Sequence, residues 1–279
     1  MVEAFYEVAR YSLDRHYAND DEKFSYLRYT LEPHIYHYLI EHHMPVFNEV
    51  WRNYLPPQYS KNAFVIIERR MHPNFEFILK NLAWAGPQLS VYLFCSDINE
   101  SYIRAILGEK ADAYHIHSVF KGIGTVQDGK MEYNRFLTTA DTYRMINAEY
   151  IMTVQMDNFI RRKIHDTYFI GDYWGNPWAW EQDSPGGGGG TIRRVKKMIE
   201  LCEADGPCLN SNEDSWISER IMKHGEYPAL IIRGLIFMES IPADHPVCIH
   251  QFWTFLHNYM THPRDQTIST LRHILSLSP

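Results

Sequence analysis

The pattern of apolar and polar positions changes character near residue 60. Before it, apolar residues fall at mixed helical spacing between Leu31 and Trp51 (Ile35, Leu39, Val46, Val50) and are interleaved with Tyr and His. Pro56-Pro57 closes this section. It predicts a helical N-terminal extension over residues 1–60, a lid or a docking surface. From Ala63 onwards strands and helices alternate. Phe64-Val65-Ile66-Ile67-Glu68 is a continuous apolar run ending in charge, as in a buried parallel strand. Phe75, Ile78, Leu79 and Leu82 mark a helix with Pro73 near its start. Leu89 to Cys95 reads as a second strand, Ile98 to Leu107 as a helix ended by Gly108, and Ala113 to Val119 as a third strand. A helix over 133–150 and a fourth strand from Tyr150 to Gln155 follow.

The second half is punctuated by five glycines, Gly186 to Gly190. Beyond them Ile192, Val195, Ile199 and Cys202 form one helical stripe, with Thr191 as N-cap and Gly206-Pro207 as the stop. A helix from Ser215 to Lys223 ends at Gly225, and Tyr227 to Arg233 reads as a further strand. The tail from Phe252 reads as helical. Strands alternating with helices predict an α/β domain over 61–279, a mostly parallel sheet flanked by helices. Ligands of such sheets bind beyond the carboxyl ends of strands, where Glu68 and Asp157 stand.

Composition narrows the function classes. The 279 residues are 45% hydrophobic and 22% charged, as in a soluble globular protein. A formal charge of −7 argues against a broad nucleic-acid footprint. The basic clusters Arg161-Arg162-Lys163 and Arg193, Arg194, Lys196 and Lys197 read as solvated helix faces or as a phosphate site. Cys95, Cys202, Cys208 and Cys248 form no CxxC pair and read as reduced, buried thiols. The acidic N-terminus has no signal-peptide core and no stretch is long enough to span a bilayer. A cytoplasmic protein, or a soluble piece of a longer chain, is expected.

Several groups carry possible chemistry. Asp157 follows a strand, and reads either as a carboxylate for a hard divalent ion or as a helix cap. The glycine run reads as a linker or as a substrate-contacting loop; its position inside the α/β pattern favours the loop, with bare N–H groups turned to an anion. In Asn212-Glu213-Asp214, Asp214 is either a general base or half of an acidic capping box with Ser211. The ring-dense segment Asp172 to Trp180 suits a sugar pocket or a buried aromatic corner. His115-x-His117 puts two rings on one strand face, a spacing used by metal hydrolases and equally by strand edges. His34, His37, His42 and His43 read as surface residues. His250, before Gln251-Phe252-Trp253, is a metal ligand or a hydrogen-bonded core histidine.

Taken in order, these pieces resemble the GT-A type nucleotide-sugar glycosyltransferases. Those enzymes carry an acid after a strand (here Asp157), a glycine-rich loop (Gly186 to Gly190), an x-Glu-Asp motif (Asn212 to Asp214) and a late histidine (His250). More narrowly, the chain is similar to a group of glycosyltransferase-like domains from eukaryotes, bacteria and large DNA viruses. The matching motifs are Val65-Ile66-Ile67-Glu68-Arg69, Tyr133-Asn134-Arg135-Phe136-Leu137, Gln155-Met156-Asp157, Asp172 to Trp178, Asn212 to Asp214, and His250 with Trp253. The resemblance covers residues 63–255. It departs at Thr191 to Arg194 and at Phe159, where a second Asp would stand.

The resemblance implies a GT-A (Rossmann-like) fold and transfer from a nucleoside-diphosphate sugar, UDP by default, to a glycan or other hydroxyl acceptor with inversion. It places Glu68, Arg69, Asn134, Arg135, Gln155, Asp157 and Gly188 to Gly190 around the donor nucleotide. It gives Mn²⁺ or Mg²⁺ to Asp157 and His250, the sugar or acceptor pocket to Trp178, Glu213 and Trp253, and the base to Asp214. Residues 1–60 lie outside the resemblance, and a homodimer contact or docking to further domains is the expectation for them. The competing classes are a metal-dependent hydrolase built on His115 and His117, and a non-catalytic carbohydrate-binding protein.

Overall fold

The structure is a computed structural model that describes residues 2–122, 125–243, 245–251 and 271–278. The chain opens with helices α1 (Val2–Asp14) and α2 (Asp20–Tyr26), a π-helical turn (Leu27–Leu31) and the long α3 (Glu32–Asn53). Strand β1 (Asn62–Ile67), α4 (Phe75–Ala85), β2 (Ser90–Ser96), α5 (Glu100–Leu107) and β3 (His115–Phe120) follow. Then come α6 (Val126–Leu137), α7 (Ala140–Arg144), β4 (Tyr150–Thr153), β5 (Asn158–Ile160), β6 (Tyr173–Asn176) and β7 (Gly187–Arg194). The last elements are α8 (Val195–Asp205), α9 (Glu213–His224), α10 (Leu230–Ile236), β8 (Phe237–Met238) and β9 (Cys248–His250). The tail expected from Phe252, including Trp253, lies mostly outside the described residues.

The main sheet has six strands in the order β3-β2-β1-β4-β7-β6. Its first four strands are parallel, and β7 and β6 are antiparallel to their neighbours. The fold is therefore α/β, with a mostly parallel sheet between helices. Strand β1 shows why the two faces differ. Phe64 and Ile66 join one buried cluster with α3 and α4, whereas Ala63, Val65 and Ile67 join a second with Tyr143, Met198 and Ile217. The order reverses between β1 and β4, which opens a crevice at their carboxyl ends. A smaller sheet, β5-β9-β8, stands beside it.

Four elements differ from the sequence reading. The helix over 133–150 is two helices, α6 and α7. The hydroxyls of Thr138 and Thr139 donate to the carbonyls of Asn134 and Arg135 at 2.7 Å each, competing with the helix ladder. The glycine run is not a loop: Gly187 to Gly190 begin strand β7, and α8 starts only at Val195. The strand expected over 227–233 is the helix α10, since a short Leu/Ile run has no period that separates helix from strand. Buried Arg233 fixes that turn by donating to the carbonyls of Pro228 and Gln182. Finally, Asn212 is the N-cap residue of α9 and makes no side-chain cap bond, so the Ser211–Asp214 capping box does not form.

The N-terminal helices share the first buried cluster. Leu27, Leu31, Ile35, Leu39 and Phe47 pack there with Phe77, Trp84 and Phe159. His43, read as a surface residue, is buried and stacks on Phe159 at 5.4 Å. The Tyr36 hydroxyl donates to the carbonyl of Asn158 at 3.0 Å, tying α3 to β5. No helix of the described residues is long and apolar enough to cross a membrane. Phe47, fully buried with its ring 5.6 Å from those of Phe77 and Trp84, tests this packing. Phe47→Ala should cost about 3–5 kcal/mol in urea unfolding, within one transition. Separate melting of the helices with an unchanged sheet transition would contradict the shared core.

Candidate functional site

Strand pairing explains how distant residues meet. Strand β5 pairs antiparallel to β9 in a register that sets Asn158 opposite His250. Asp157, one residue earlier, then lies beside the imidazole: its Oδ1 is 3.2 Å from Nε2 of His250. Gln251 steadies the carboxylate by donating to Oδ2 at 3.2 Å. On the other side of the ring, Oε2 of Glu239 is 3.2 Å from Nδ1. The N–H of Gly189 also points at Nδ1, at 3.3 Å. Nδ1 cannot serve both contacts at once, because it is either a donor or an acceptor.

The electrostatics favour a charged ring. Burial alone would lower the His250 pKa, but Asp157 and Glu239 outweigh it and push it up to about 10. Burial likewise opposes ionisation of Asp157, but His250 and Gln251 prevail and hold it at about 2. Oδ1 of Asp157 and Nε2 of His250 are both buried, face each other at 3.2 Å and bond to no other group. This is an N/O pair suited to a divalent cation whose remaining ligands come from elsewhere. Glu239 sits on the opposite nitrogen. Among the described residues, no group of three or more His, Cys, Asp or Glu side chains converges on a metal position.

The glycine strand lets these groups come together. A Cβ on Gly187 would stand 2.6 Å from Cβ of Asp214 and from Cζ2 of Trp178. On Gly188 it would stand 2.5 Å from Glu239 Oε2, and on Gly189 2.5 Å from His250 Cδ2. On Gly190 it would meet Phe237 at 3.0 Å and Asn158 at 3.1 Å. Gly188 also has φ +81°, in the left-handed region. The backbone is bare because side chains, not a linker's freedom, occupy its flanks. Two of its N–H groups are already engaged: Gly188 donates to Oδ2 of Asp214 at 3.1 Å and Gly189 points at His250.

Asp214, Trp178, Glu239 and His250 thus surround one short stretch of β7, and Asp157 joins them through the imidazole. Trp178 is buried and stacks on Trp180, which is exposed. Glu213 turns the other way. It forms an ion pair with fully buried Arg193 at 2.9 Å, and its Oε2 accepts the N–H of Asp214. Burial and the neighbouring Asp214 push its pKa up to about 7, against the pull of Arg193. The side chain expected in the sugar pocket therefore anchors the start of α9. Arg193, read as a helix-face residue, is the buried partner that holds it.

A cavity of about 510 Å³ opens in the crevice beyond β1 and β4. Glu68, Arg69, Gln155 and Asp157 line it. Glu68 accepts from the backbone N–H groups of Arg69 and Arg70 and holds the Arg70 guanidinium through both oxygens. Its role is to shape the loop and present Arg70. The Arg69 guanidinium pairs with Glu132 at 2.7 Å. The Gln155 amide donates to the Tyr133 hydroxyl at 2.8 Å. Asn134 and Arg135, expected at the donor, stand away from this cavity. The Asn134 amide donates to the carbonyl of Ser211 and accepts from the N–H of Glu213, stapling α6 to the turn before α9. Arg135 lines a second, shallower hollow with Phe136 and Met145.

Sequence reasoning missed Arg28, Glu32, Arg70, Lys130 and Glu239. Arg70 was signalled by its place directly after the Glu68-Arg69 pair. Glu239 had no such signal. Glu32 lies in the cavity wall, where burial and Asp157 push its pKa up to about 8 against the pull of Arg28, His250 and Arg70. His115 and His117 sit on the edge strand β3 and stack on Tyr92 and Phe94, with ring centroids 4.2 and 5.1 Å apart. The Nε2 of His115 is bound to the carbonyl of Gln58. No further donor for a metal joins the pair among the described residues. All four cysteines are buried and unpaired.

Comparison with known proteins gives a family model and 114 matching chains among solved structures, two of which are described below. A family described as "Protein of unknown function (DUF5672)" matches residues 123–231. No curated protein matches. The crystal structure of mouse xyloside xylosyltransferase 1 in its apo form is similar with a TM-score of 0.46 and 8% identity, covering 68% of this chain and 97% of that one. The apo form of the glycosyltransferase GlyE of Streptococcus pneumoniae TIGR4 is similar with a TM-score of 0.43 and 12% identity, covering 75% of this chain and 62% of that one.

Alanine scanning tests the crowding of the glycine strand. Gly234 has nothing within 4 Å of an added Cβ, so Gly234→Ala should stabilise by roughly 0.4–1 kcal/mol. Gly189→Ala should do the reverse, losing roughly 1–3 kcal/mol, because His250 must move. Equal effects in chemical denaturation would contradict the packing described.

Proposed function

We propose that the protein is a glycosyltransferase of the GT-A type, moving a sugar from a nucleoside-diphosphate donor to a hydroxyl acceptor with a divalent cation. One observation carries the reading. The buried Asp157 Oδ1 and His250 Nε2 stand 3.2 Å apart and bond to no other group, Asp157 lines the crevice cavity, and Asp214 accepts a hydrogen bond from the bare strand that flanks His250. The sheet order, reversing between β1 and β4, supports a nucleotide in that crevice. UDP is the default donor nucleotide by resemblance.

Asp157 Oδ1 and His250 Nε2 would hold Mn²⁺ or Mg²⁺, a Lewis acid that neutralises charge on the departing diphosphate. Glu239 then has a definite task. By accepting from Nδ1–H it fixes the tautomer in which Nε2 presents a lone pair. Arg70, held by Glu68, and Lys130 add positive charge to the cavity wall. Asp214 takes the acceptor's hydroxyl proton as that oxygen attacks the anomeric carbon. The bond from that carbon to the diphosphate oxygen breaks on the opposite side, and its electron pair leaves with the diphosphate, so the configuration inverts. Gly188 orients the base by donating to Oδ2, and Glu213 with Arg193 fixes the backbone that carries it. Trp178, packed against Gly187 beside Asp214, is placed to border the sugar.

Two substitutions separate the roles. Asp214→Asn should lower transfer by at least about 10²-fold, the low end of general-base effects, with nucleotide-sugar affinity retained. Asp157→Ala should instead weaken Mn²⁺-dependent binding of the nucleoside diphosphate. Thermal shifts with UDP-, GDP- and dTDP-sugars, with and without Mn²⁺, read the second effect, and product release reads the first. Wild-type turnover by Asp214→Asn would sink the base assignment. A wild-type melting temperature that no nucleotide sugar moves would sink the reading as a whole.

A further inference from the structure

The crevice cavity has a wall that the glycosyltransferase motifs do not supply. Arg28, Tyr29 and Glu32 line it together with the loop after β1 and helix α6. They come from the π-helical turn and the start of α3, in the segment expected to be an extension. The turn has a local cause. Pro33 lacks the N–H that would bond the carbonyl of Tyr29, and the N–H of Glu32 reaches back five residues to the carbonyl of Leu27. The extra residue turns the face of α3 by about 100°, one residue's share of an α-helical turn. Leu27 and Leu31 remain in the core while Arg28, Tyr29 and Glu32 border the cavity. Single π-turns inside helices recur at functional sites.

The chemistry of this wall fits a nucleoside diphosphate. Tyr29 is 75% exposed, an unusual placement for a large ring beside a cavity. The other tyrosine of the cavity, Tyr133, is held to Gln155 by its hydroxyl. Charge is arranged unevenly. Glu68 is matched by Arg70 and Asp157 by His250. Arg28 and Lys130 have no ion-pair partner among the described residues, and each lines the cavity. The lining sets Arg28, Arg69, Arg70 and Lys130 against Glu32, Glu68 and Asp157, a cationic balance within a protein of net charge −7, which draws anions in.

We propose that the π-helical turn Leu27–Leu31 is the outer half of the nucleotide site, with Tyr29 stacking on the base and Arg28 meeting the diphosphate. The proposal rests on the glycosyltransferase reading and makes the N-terminal helices part of donor recognition. A stacked ring is sequence-tolerant, so the turn governs affinity for the nucleotide and not the choice of base.

The test is calorimetric, on the full chain with Mn²⁺, using UDP, GDP, dTDP and inorganic pyrophosphate as probes. Tyr29→Ala should raise the Kd of the bound nucleoside diphosphate about ten-fold, within the range of base–aromatic stacking, and leave pyrophosphate unchanged. Tyr29→Phe should leave both as in the wild type. Arg28→Gln should weaken nucleoside diphosphate and pyrophosphate alike. Wild-type affinities in Tyr29→Ala and Arg28→Gln would overturn the proposal alone. So would a loss of pyrophosphate binding in Tyr29→Ala equal to its loss of nucleotide. If the wild-type protein binds none of the three nucleoside diphosphates, the glycosyltransferase reading falls first and this inference with it.

Discussion

The site depends on the close approach of polar side chains to a strand without side chains of its own. Between Gly187 and Gly190 the backbone of β7 is flanked by Asp214, Trp178, Glu239, His250 and Asn158, at distances where even a methyl group would collide. Side chains in a protein interior normally keep backbones apart, and packing tolerates little intrusion. Removing them from four successive residues allows an acid from α9 and a histidine from β9 to meet on one strand. Pairing of β5 with β9 then brings Asp157 to the histidine. Positions separated by more than ninety residues are joined by one bald stretch of sheet and one short strand pair.

That geometry carries an electrostatic cost, and the surroundings offset it. Ionised groups buried together are stable only when each is paired and hydrogen-bonded. His250 stands between two carboxylates, and Gln251 donates to one of them. Glu213 is buried against Arg193, which in turn is held by Thr191 and Tyr143. The second pair keeps the start of α9 in place, so Asp214 inherits its position from a network that never faces the cavity. The N-terminal helices contribute in the same way: Tyr36 bonds the backbone of β5 next to Asp157.

Much of the parallel half of the fold was legible. The apolar run at Phe64 to Ile67 and the Leu89 to Cys95 run are strands because both sheet faces are covered, and they show as unbroken hydrophobic stretches. The glycine run was legible as a place of close approach but not as a strand. Glycine has no β-propensity to read, and its partners Asp214 and His250 lie far along the chain. Leu230 to Ile236 failed for the opposite reason: its apolar residues suit a strand, but Ile231 and Leu235 are exposed on a short helix. Gln155, Met156 and Asp157 line the crevice cavity, and Asp214 of Asn212-Glu213-Asp214 stands against the glycine strand. Within that motif, the split between an anchoring Glu213 and an Asp214 set against the glycine strand depends on Arg193, whose burial no local pattern announces. Arg28, Tyr29 and Glu32 were hidden because a helical segment ahead of the sheet has no periodicity that says which face borders a cavity.

The central claim is that Asp157 and His250 form one half of a metal–diphosphate site at the mouth of the crevice. A crystal soaked with Mn²⁺ and a nucleoside diphosphate, measured at the manganese absorption edge, addresses it directly. The account predicts an anomalous peak within coordination distance of both Asp157 Oδ1 and His250 Nε2, with the diphosphate on the cavity side. A peak held by other residues, or a nucleotide bound with Asp157 and His250 still in direct contact and no metal between them, would contradict it.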